Sequence, residues 1–376
     1  MEGREVVIHE KTPAESATFL ADILGDRYTT TAGGMLSTGA ILDLMDVCAG
    51  RVAWMHVGGM VATVSFDKVE LFAPVSHMDL VRVEARVVET GSSSMTVYCS
   101  CYKHDIQTRQ FIKTTESFIV MVALDPETRR PNKNIPRIRL ETQSDKEIAL
   151  LVAERKKLNR LWMNMQKESN DGTPLKAKDV EEASTFMSTR RELLTIPETK
   201  VVIRKQSMPR NLNHSQTLFG GDILLWMEQA AVYAGKRFTQ NEHMLTLTMN
   251  RLSFTQPIFV EDVIEMHARV VYVRKYILEV EVTCFVDRQK AIKLVPSHTG
   301  YFTLLNLDPL GMKRPICTGL KFSDDDQESL LTYKKAKDRF LFEQKHMMAQ
   351  AQAPSELNRV LSAADEADAG QKFAFH

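Results

Sequence analysis

The chain is short of most things that would announce a function by themselves. Lysine plus arginine and aspartate plus glutamate stand at 48 each, so no net charge draws the chain onto nucleic acid or an anionic membrane, and an anionic ligand must be held by local groups. There are five cysteines, Cys48, Cys99, Cys101, Cys284 and Cys317. An odd number with no CxxC spacing argues against a disulfide framework and a structural zinc site, and for a reducing compartment. No apolar run approaches the roughly 18 residues of a membrane-spanning helix. The start, with Glu2, Glu5, Glu10 and Glu15, reads as neither a signal nor a transit peptide. HExxH and GxSxG are missing, and with them the usual marks of zinc and serine hydrolases.

What is present is apolar residue in quantity, 44% of 376, enough for two domains of ordinary size plus connecting material. Those two domains repeat each other. Val6-Val7-Ile8 resembles Val201-Val202-Ile203, each ahead of a proline-containing loop, and Gly39-Ala-Ile-Leu-Asp-Leu-Met-Asp46 resembles Gly221-Asp-Ile-Leu-Leu-Trp-Met-Glu228 at an offset of 182. Val61 to Pro74 then resembles Leu245 to Pro257, and Asp79 to Val88 resembles Asp262 to Val271 at an offset of 183.

Each copy alternates its periodicity in the same order. Residues 39–56 and 221–237 are apolar on nearly every face, as a helix buried all round would be. Trp54 and Trp226 are read as core packing there, and Cys48 as a small apolar filler. Val81, Val83, Ala85 and Val87, then Met95, Val97, Cys99 and Cys101, and in the second copy Ile277, Val280, Val282 and Cys284, follow the period of two that marks strands. One strand, a buried helix and four long strands give an α+β layer, a curved antiparallel sheet wrapped around a central helix, which is the hotdog pattern. The expected organisation is an N-terminal domain over 1–128, a helical linker over 129–198, a C-terminal domain over 199–310, a C-terminal helix over 311–350, and a tail over 351–376 without fixed structure.

A carboxylate in the middle of an apolar helix is expensive unless it is paired or opens onto a cleft. Asp46 and Glu228 occupy the same point of the two helices, so the oddity occurs twice. The loops ahead of the helices differ. The second reads Asn211-Leu-Asn213-His214-Ser215-Gln216-Thr217-Leu218-Phe219-Gly220-Gly221, and its glycines would let a ligand approach backbone amides at a helix N-terminus, where developing negative charge is favoured. The first has Thr31 in place of Asn213, and Thr38 and Gly39 in place of the glycine pair.

The segment Asn213-x5-Phe219-Gly220-Gly221-x5-Met227-Glu228 resembles the hotdog acyl-CoA thioesterases, with their asparagine, glycine pair and Met-Asp on the central helix. The two repeats over residues 5–310, with Phe118 to Asp125 and the long connector, resemble the tandem members, above all their mitochondrial branch. The resemblance implies hydrolysis of acyl-CoA to a free fatty acid and coenzyme A, two hotdog domains packed as a pseudo-dimer, and one working site between them. That site would take Asp46 from the first repeat, and Asn213 with the oxyanion amides of Gly220 and Gly221 from the second. Asp46 would serve as general base or as nucleophile. The mirror combination, Glu228 with Thr31 and Thr38, lacks the asparagine and a glycine and is expected to be degenerate. The turn Gly91, Ser92, Ser93 and its counterpart Arg274, Lys275 lie near coenzyme A in related hotdogs, so they are either contacts to it or ordinary hairpin turns. His214 is read as a surface loop residue. No cofactor and no metal are expected, since a thiolate leaves without either. Further expectations are an acyl-CoA substrate, no nucleic acid, no membrane span, a homo-oligomer built as a trimer of double-hotdog chains, and a cytoplasmic or mitochondrial location. The rival readings are a non-catalytic acyl-CoA sensor and a hydratase; the latter would need an Asp and His pair, which neither loop carries.

Overall fold

A computed structural model describes residues 9–25, 35, 37–168, 174–180, 192–213, 215–288 and 293–351. Two central helices organise it. Helix α1 (Pro13–Ser16) is a single turn, and α2 (Thr38–Val57) is the first central helix. Its last turn closes on Gly58 at φ 65°, a left-handed conformation that glycine adopts without steric cost, with the Gly58 amide donating to the Trp54 carbonyl at 2.7 Å. Helices α3 (Gln143–Glu168) and α4 (Ala177–Val180) follow, then the second central helix α5 (Gly220–Thr239) and a final helix α6 (Gln327–Ala351).

The strands of the first repeat are β1 (Glu10–Lys11), β2 (Thr18–Ile23), β3 (Val61–Phe66), β4 (Val69–Glu70), β5 (Leu80–Thr90), β6 (Ser94–Asp105), β7 (Gln110–Ala123) and β8 (Arg137–Ile138). Those of the second are β9 (Glu192–Leu194), β10 (Val201–Gln206), β11 (Met244–Met249), β12 (Leu252–Ser253), β13 (Val263–Arg274), β14 (Ile277–Asp287), β15 (Val295–Asn306) and β16 (Thr318–Leu320). Two six-stranded antiparallel sheets result, in the orders β12-β3-β7-β6-β5-β2 and β10-β13-β14-β15-β11-β4. Each wraps its own central helix: Val81, Val83, Val87, Val97, Cys99 and Ile119 point inward and are fully buried against α2. The apolar/polar alternation of the strands is what gives each sheet one face to bury.

The repeats exchange short edge strands. β4 pairs with β11 of the other repeat, and β12 pairs with β3, so each sheet is completed by two residues from its neighbour. The central helices themselves meet at small residues. A side chain at Gly39 would lie 2.8 Å from the Leu225 Cα, and one at Gly221 2.7 Å from the Asp43 Cα, so both crossing points require glycine for the backbones to approach. The fold is thus the expected pair of hotdog domains in one chain.

The first strand differs from the sequence expectation. Val6-Val7-Ile8 lies outside the described residues; the strand standing in the place of β10 is β2, for Thr18 pairs with Ala85 as Val201 pairs with Ala268. Thr18 and Val201 stand at the offset shared by the rest of the repeat, as do Ala85 and Ala268, whereas Val6 and Val201 are spaced more widely. Local likeness of composition misled; spacing would not have. The repeat also takes in elements outside the sheets. β1 pairs in parallel with β8 and β9 with β16, giving each domain a two-stranded strap, and α3 and α6 lie on the outer faces of their sheets against β5 and β13. Trp54, expected in the core, is 42% exposed with the Arg51 guanidinium 4.7 Å over its ring, because α2 presents an outward stripe with Val47 rather than burying every face. Trp226 does pack against the core. Residues 352–376, Thr31 and His214 lie outside the described residues.

Candidate active site

Asp46 sits midway along α2, 1% exposed, where its carboxylate faces the start of α5 from the other repeat. Its Oδ2 accepts the Gly221 amide at 2.8 Å, and its Oδ1 accepts the Thr63 hydroxyl of β3 at 2.8 Å. A carboxylate thus meets the positive end of a helix dipole across the domain boundary. Burial still dominates and pushes Asp46 up to about 7; the Thr63 and Gly221 hydrogen bonds oppose it, while the neighbouring charges of Asp43 and Asp222 add to it. Asp43 itself is pushed to about 6 by burial and by Asp222. Asp222, in the first turn of α5, is also raised by burial, against the Asn211 carboxamide that donates to its Oδ1 at 3.0 Å and the Arg210 charge.

Gly220 also adjoins this carboxylate. A side chain placed there would lie 2.9 Å from Asp46 Oδ2 and 3.1 Å from the Phe254 ring. Its amide donates no hydrogen bond among the described residues, leaving a helix-N-terminal donor beside a carboxylate whose protonation is poised near neutrality.

The mirror position is built differently. Glu228 of α5 is also 1% exposed and accepts hydrogen bonds from the Ser37 and Thr246 hydroxyls, with the Thr38 amide as a further partner. Burial raises it, and these donors oppose that. The Thr38 hydroxyl turns away to the Thr246 carbonyl at 3.2 Å. Thr246 is the counterpart of Thr63 at the offset of the repeat, so both acids are held by the same threonine of the duplicated unit. The longer glutamate and the Ser37 hydroxyl fill the mirror site.

Asn213 lies in the loop ahead of α5, half-buried, with its carboxamide closing that loop. Its Oδ1 accepts the Ser215 and Thr217 amides at 2.8 and 3.2 Å, and its Nδ2 donates to the Thr217 hydroxyl at 2.9 Å. Arg129, from the exit of the first repeat, donates to the Ser215 carbonyl and fastens the loop from the other side. The two hairpin turns have local partners. The Gly91 carbonyl accepts from Arg137 and the Ser93 carbonyl from the Ala123 amide, while Ser92 is exposed. Arg274 lies over the Phe340 ring of α6 and Lys275 over Tyr276. The structure therefore brings Asp46, Gly220 and Gly221 together, sets Asn213 in the adjoining loop, and gives the turns contacts elsewhere. Among the described residues no group of three or more His, Cys, Asp or Glu side chains is arranged to hold a metal ion, and no helix is long and apolar enough to cross a membrane.

The family described as Thioesterase superfamily matches residues 33–109 and 215–292, one stretch per repeat. Over 130 residues the chain is 31% identical to an uncharacterized acyl-CoA thioester hydrolase of Buchnera aphidicola subsp. Schizaphis graminum, covering 34% of this chain and 96% of that protein. The chain belongs to the thioesterase superfamily. This thioesterase-superfamily chain is also 23% identical over 267 residues to acyl-coenzyme A thioesterase 11 of Mus musculus, covering 70% of this chain and 42% of that one, so it spans less than half the length of that longer relative. A solved apo-hexameric acyl-CoA thioesterase aligns at 27% identity and a TM-score of 0.37, over 40% of this chain and 94% of that one. Sequence reasoning missed Thr63, Asp43, Asp222 and Phe254 around this candidate site. Asp43 was within reach, three residues before Asp46 and so on the same helical face. Thr63 was marked by its recurrence as Thr246.

Proposed function

We propose that the chain is an acyl-CoA thioester hydrolase with a single working site, where α2 of the first repeat meets the start of α5. The observation that carries this is the Asp46 carboxylate held against the Gly221 amide of the other repeat, with the unengaged Gly220 amide beside it. The thioester carbonyl oxygen takes the Gly220 amide and, once substrate draws it from its loop, the Asn213 carboxamide. Each such donor is worth about 3–4 kcal/mol to the developing oxyanion. Asp46 takes a proton from the attacking water, and the hydroxide adds to the carbonyl carbon. Collapse breaks the carbon–sulfur bond, and the leaving thiolate of coenzyme A recovers the proton. Direct attack by Asp46, through an anhydride that water then opens, uses the same residues. Neither route calls for a cofactor. Glu228, with Ser37 and Thr246 occupying its carboxylate, has no role in turnover, and Thr31 and Thr38 complete a degenerate second site. Gly91, Ser92, Ser93, Arg274 and Lys275 remain proposed contacts for the coenzyme.

The test is thiol release from a panel of acyl-CoAs. Asp46→Asn and Asn213→Ala are expected to lower kcat by about 10²-fold or more, and Glu228→Gln to change it less than about threefold, a difference under about 1 kcal/mol. Equal losses from all three would mean two working sites. Acyl-CoA binding without thiol release would make the chain a sensor. The wider reading includes a trimer of tandem chains, for which the exposed Trp54 and Tyr233 of the central helices offer apolar surface, and a reducing cytoplasmic or mitochondrial setting that suits five free cysteines. Sedimentation mass tests the trimer.

A further inference from the structure

Beside the thioester centre stands a buried histidine that the hydrolytic chemistry does not use. His298 of β15 lies on the inner face of the second sheet, with Gly300 and Phe302 following it on that face. A side chain at Gly300 would lie 3.0 Å from Met227, and one at Gly235 2.7 Å from Leu304, so α5 and β15 run in step and His298 falls near the start of the helix. Phe254 links it to the site. The two rings meet edge to face with centroids 5.0 Å apart, and the Phe254 ring lies 3.1 Å from the place of a Gly220 side chain, itself 2.9 Å from Asp46 Oδ2. Asp46, Gly220, Phe254 and His298 thus form one continuous wall.

One end of the imidazole is held and the other is not. Nδ1 shares a hydrogen bond with the Ser297 hydroxyl, whereas Nε2 is buried and has no hydrogen-bond partner among the described residues. The first repeat fills the same position differently. At the offset of the repeat, His298 and Phe254 correspond to Thr115 and Leu71. Thr115 pairs with Cys101 as His298 pairs with Cys284, and the Leu71 amide donates to Leu247 as the Phe254 amide donates to Val64. The Thr115 hydroxyl donates to the Glu70 carbonyl at 2.7 Å, so in the repeat whose central helix starts at Thr38 and Gly39 the position is satisfied. The repeat that supplies the Gly220 and Gly221 amides instead places a larger polar ring there and leaves one nitrogen unpaired. A buried polar atom without a partner is costly, and a ligand that completes it removes that cost.

We propose, resting on the acyl-CoA reading of that site, that His298 is a further substrate contact whose Nε2 pairs with an uncharged group of the bound thioester that both donates and accepts hydrogen bonds, an amide or a hydroxyl. Burial pushes His298 down to about 4, so at ordinary pH the ring is neutral and offers a phosphate no charge. In a neutral imidazole one nitrogen donates and the other accepts, and the Ser297 hydroxyl can take either part against Nδ1. An amide or a hydroxyl answers Nε2 in both tautomers, and a plain hydrocarbon chain answers it in neither. Two parts of an acyl-CoA share this chemistry: the amide nearest the sulfur in the pantetheine arm, and a hydroxyl carried by the acyl chain.

The test sets His298→Leu and His298→Gln in the full chain against the wild type. Titration calorimetry measures binding of non-hydrolysable thioether analogues of butyryl-CoA and 3-hydroxybutyryl-CoA, beside thiol release from the parent thioesters. His298→Leu is expected to weaken analogue binding about tenfold or more, and His298→Gln, which keeps a donor and an acceptor, to restore most of it. Because leucine removes an unpaired buried nitrogen, the Tm of that variant is expected to equal or exceed that of the wild type. Equal losses with both analogues assign the contact to the pantetheine amide, and a loss confined to the hydroxylated analogue assigns it to the acyl hydroxyl. Affinity unchanged in folded His298→Leu overturns the proposal. So do equal losses in the leucine and glutamine variants, and a wild type that binds neither analogue at millimolar concentration. Binding is read apart from turnover: an analogue that binds where the thioester releases no thiol removes the hydrolase reading and leaves the contact standing, whereas thiol release with affinity indifferent to residue 298 removes the contact alone.

Discussion

Asp46 is held by two donors and opposed by two acids, and its titration follows from that balance. With the carboxyl at about 7, the rate of a reaction needing its anion rises with pH through an inflection near that value. Removing the Asp43 charge relieves a repulsion, so Asp43→Asn is expected to move the inflection of kcat/KM to lower pH, with the change read from full pH profiles of both proteins. The same shift bears on stability. Folded Asp46 keeps a proton between about pH 4 and 7 that the unfolded chain has released, so its contribution to stability falls as pH rises across that window and is constant above it. Asp46→Asn carries no charge to bury. The Tm of the variant minus that of the wild type is therefore expected to increase from pH 4 to 7 and level off beyond; scanning calorimetry that finds a pH-independent difference would remove the late titration. Asp46 and Glu228 were visible in the sequence as acids recurring in an apolar helix, and the pairing of Asp46 with the α5 glycines followed from the resemblance. The closing of the Asn213 carboxamide onto Thr217 was not visible, since it depends on how the loop turns back on itself.

At the scale of elements, the crossing of α2 and α5 is the joint on which the site depends. Gly39→Ala puts a methyl against the Leu225 backbone, which cannot swing aside, and is expected to cost about 1–3 kcal/mol by urea unfolding. Gly59→Ala meets nothing within 4 Å and serves as the neutral comparison. Helices and long strands were legible because burial on all sides and alternation at period two are properties of single segments. β2 was not, because its pattern is weak: Phe19 and Ile23 are exposed on an edge strand, and only the spacing of the repeat marks it. Trp54 escaped for a related reason. Composition says that a helix is apolar, whereas the sheet decides which stripe it leaves uncovered.

The whole molecule is two units that cannot be cleanly cut. Each sheet is completed by an edge strand from the other repeat, and Arg339 of α6 donates to Gln166 of α3 at 2.9 Å, joining the outer helices as well. Residues 1–185 and 186–376 expressed together are therefore expected to purify as a 1:1 complex, while 1–185 alone yields no cooperatively unfolding monomer. Size-exclusion chromatography with mass detection distinguishes this from two independent domains. By itself the sequence determined the duplication, the period of each element and the positions of two buried acids, because these are recorded along the chain in residues a few places apart. Only the tertiary structure decided that Asp46 meets an amide 175 residues away, that short strands are exchanged, and that Arg339 of α6 pairs with Glu279 on the outer face of its sheet. Contacts of that kind arise from packing two curved surfaces together, and no local pattern encodes which side chains then touch.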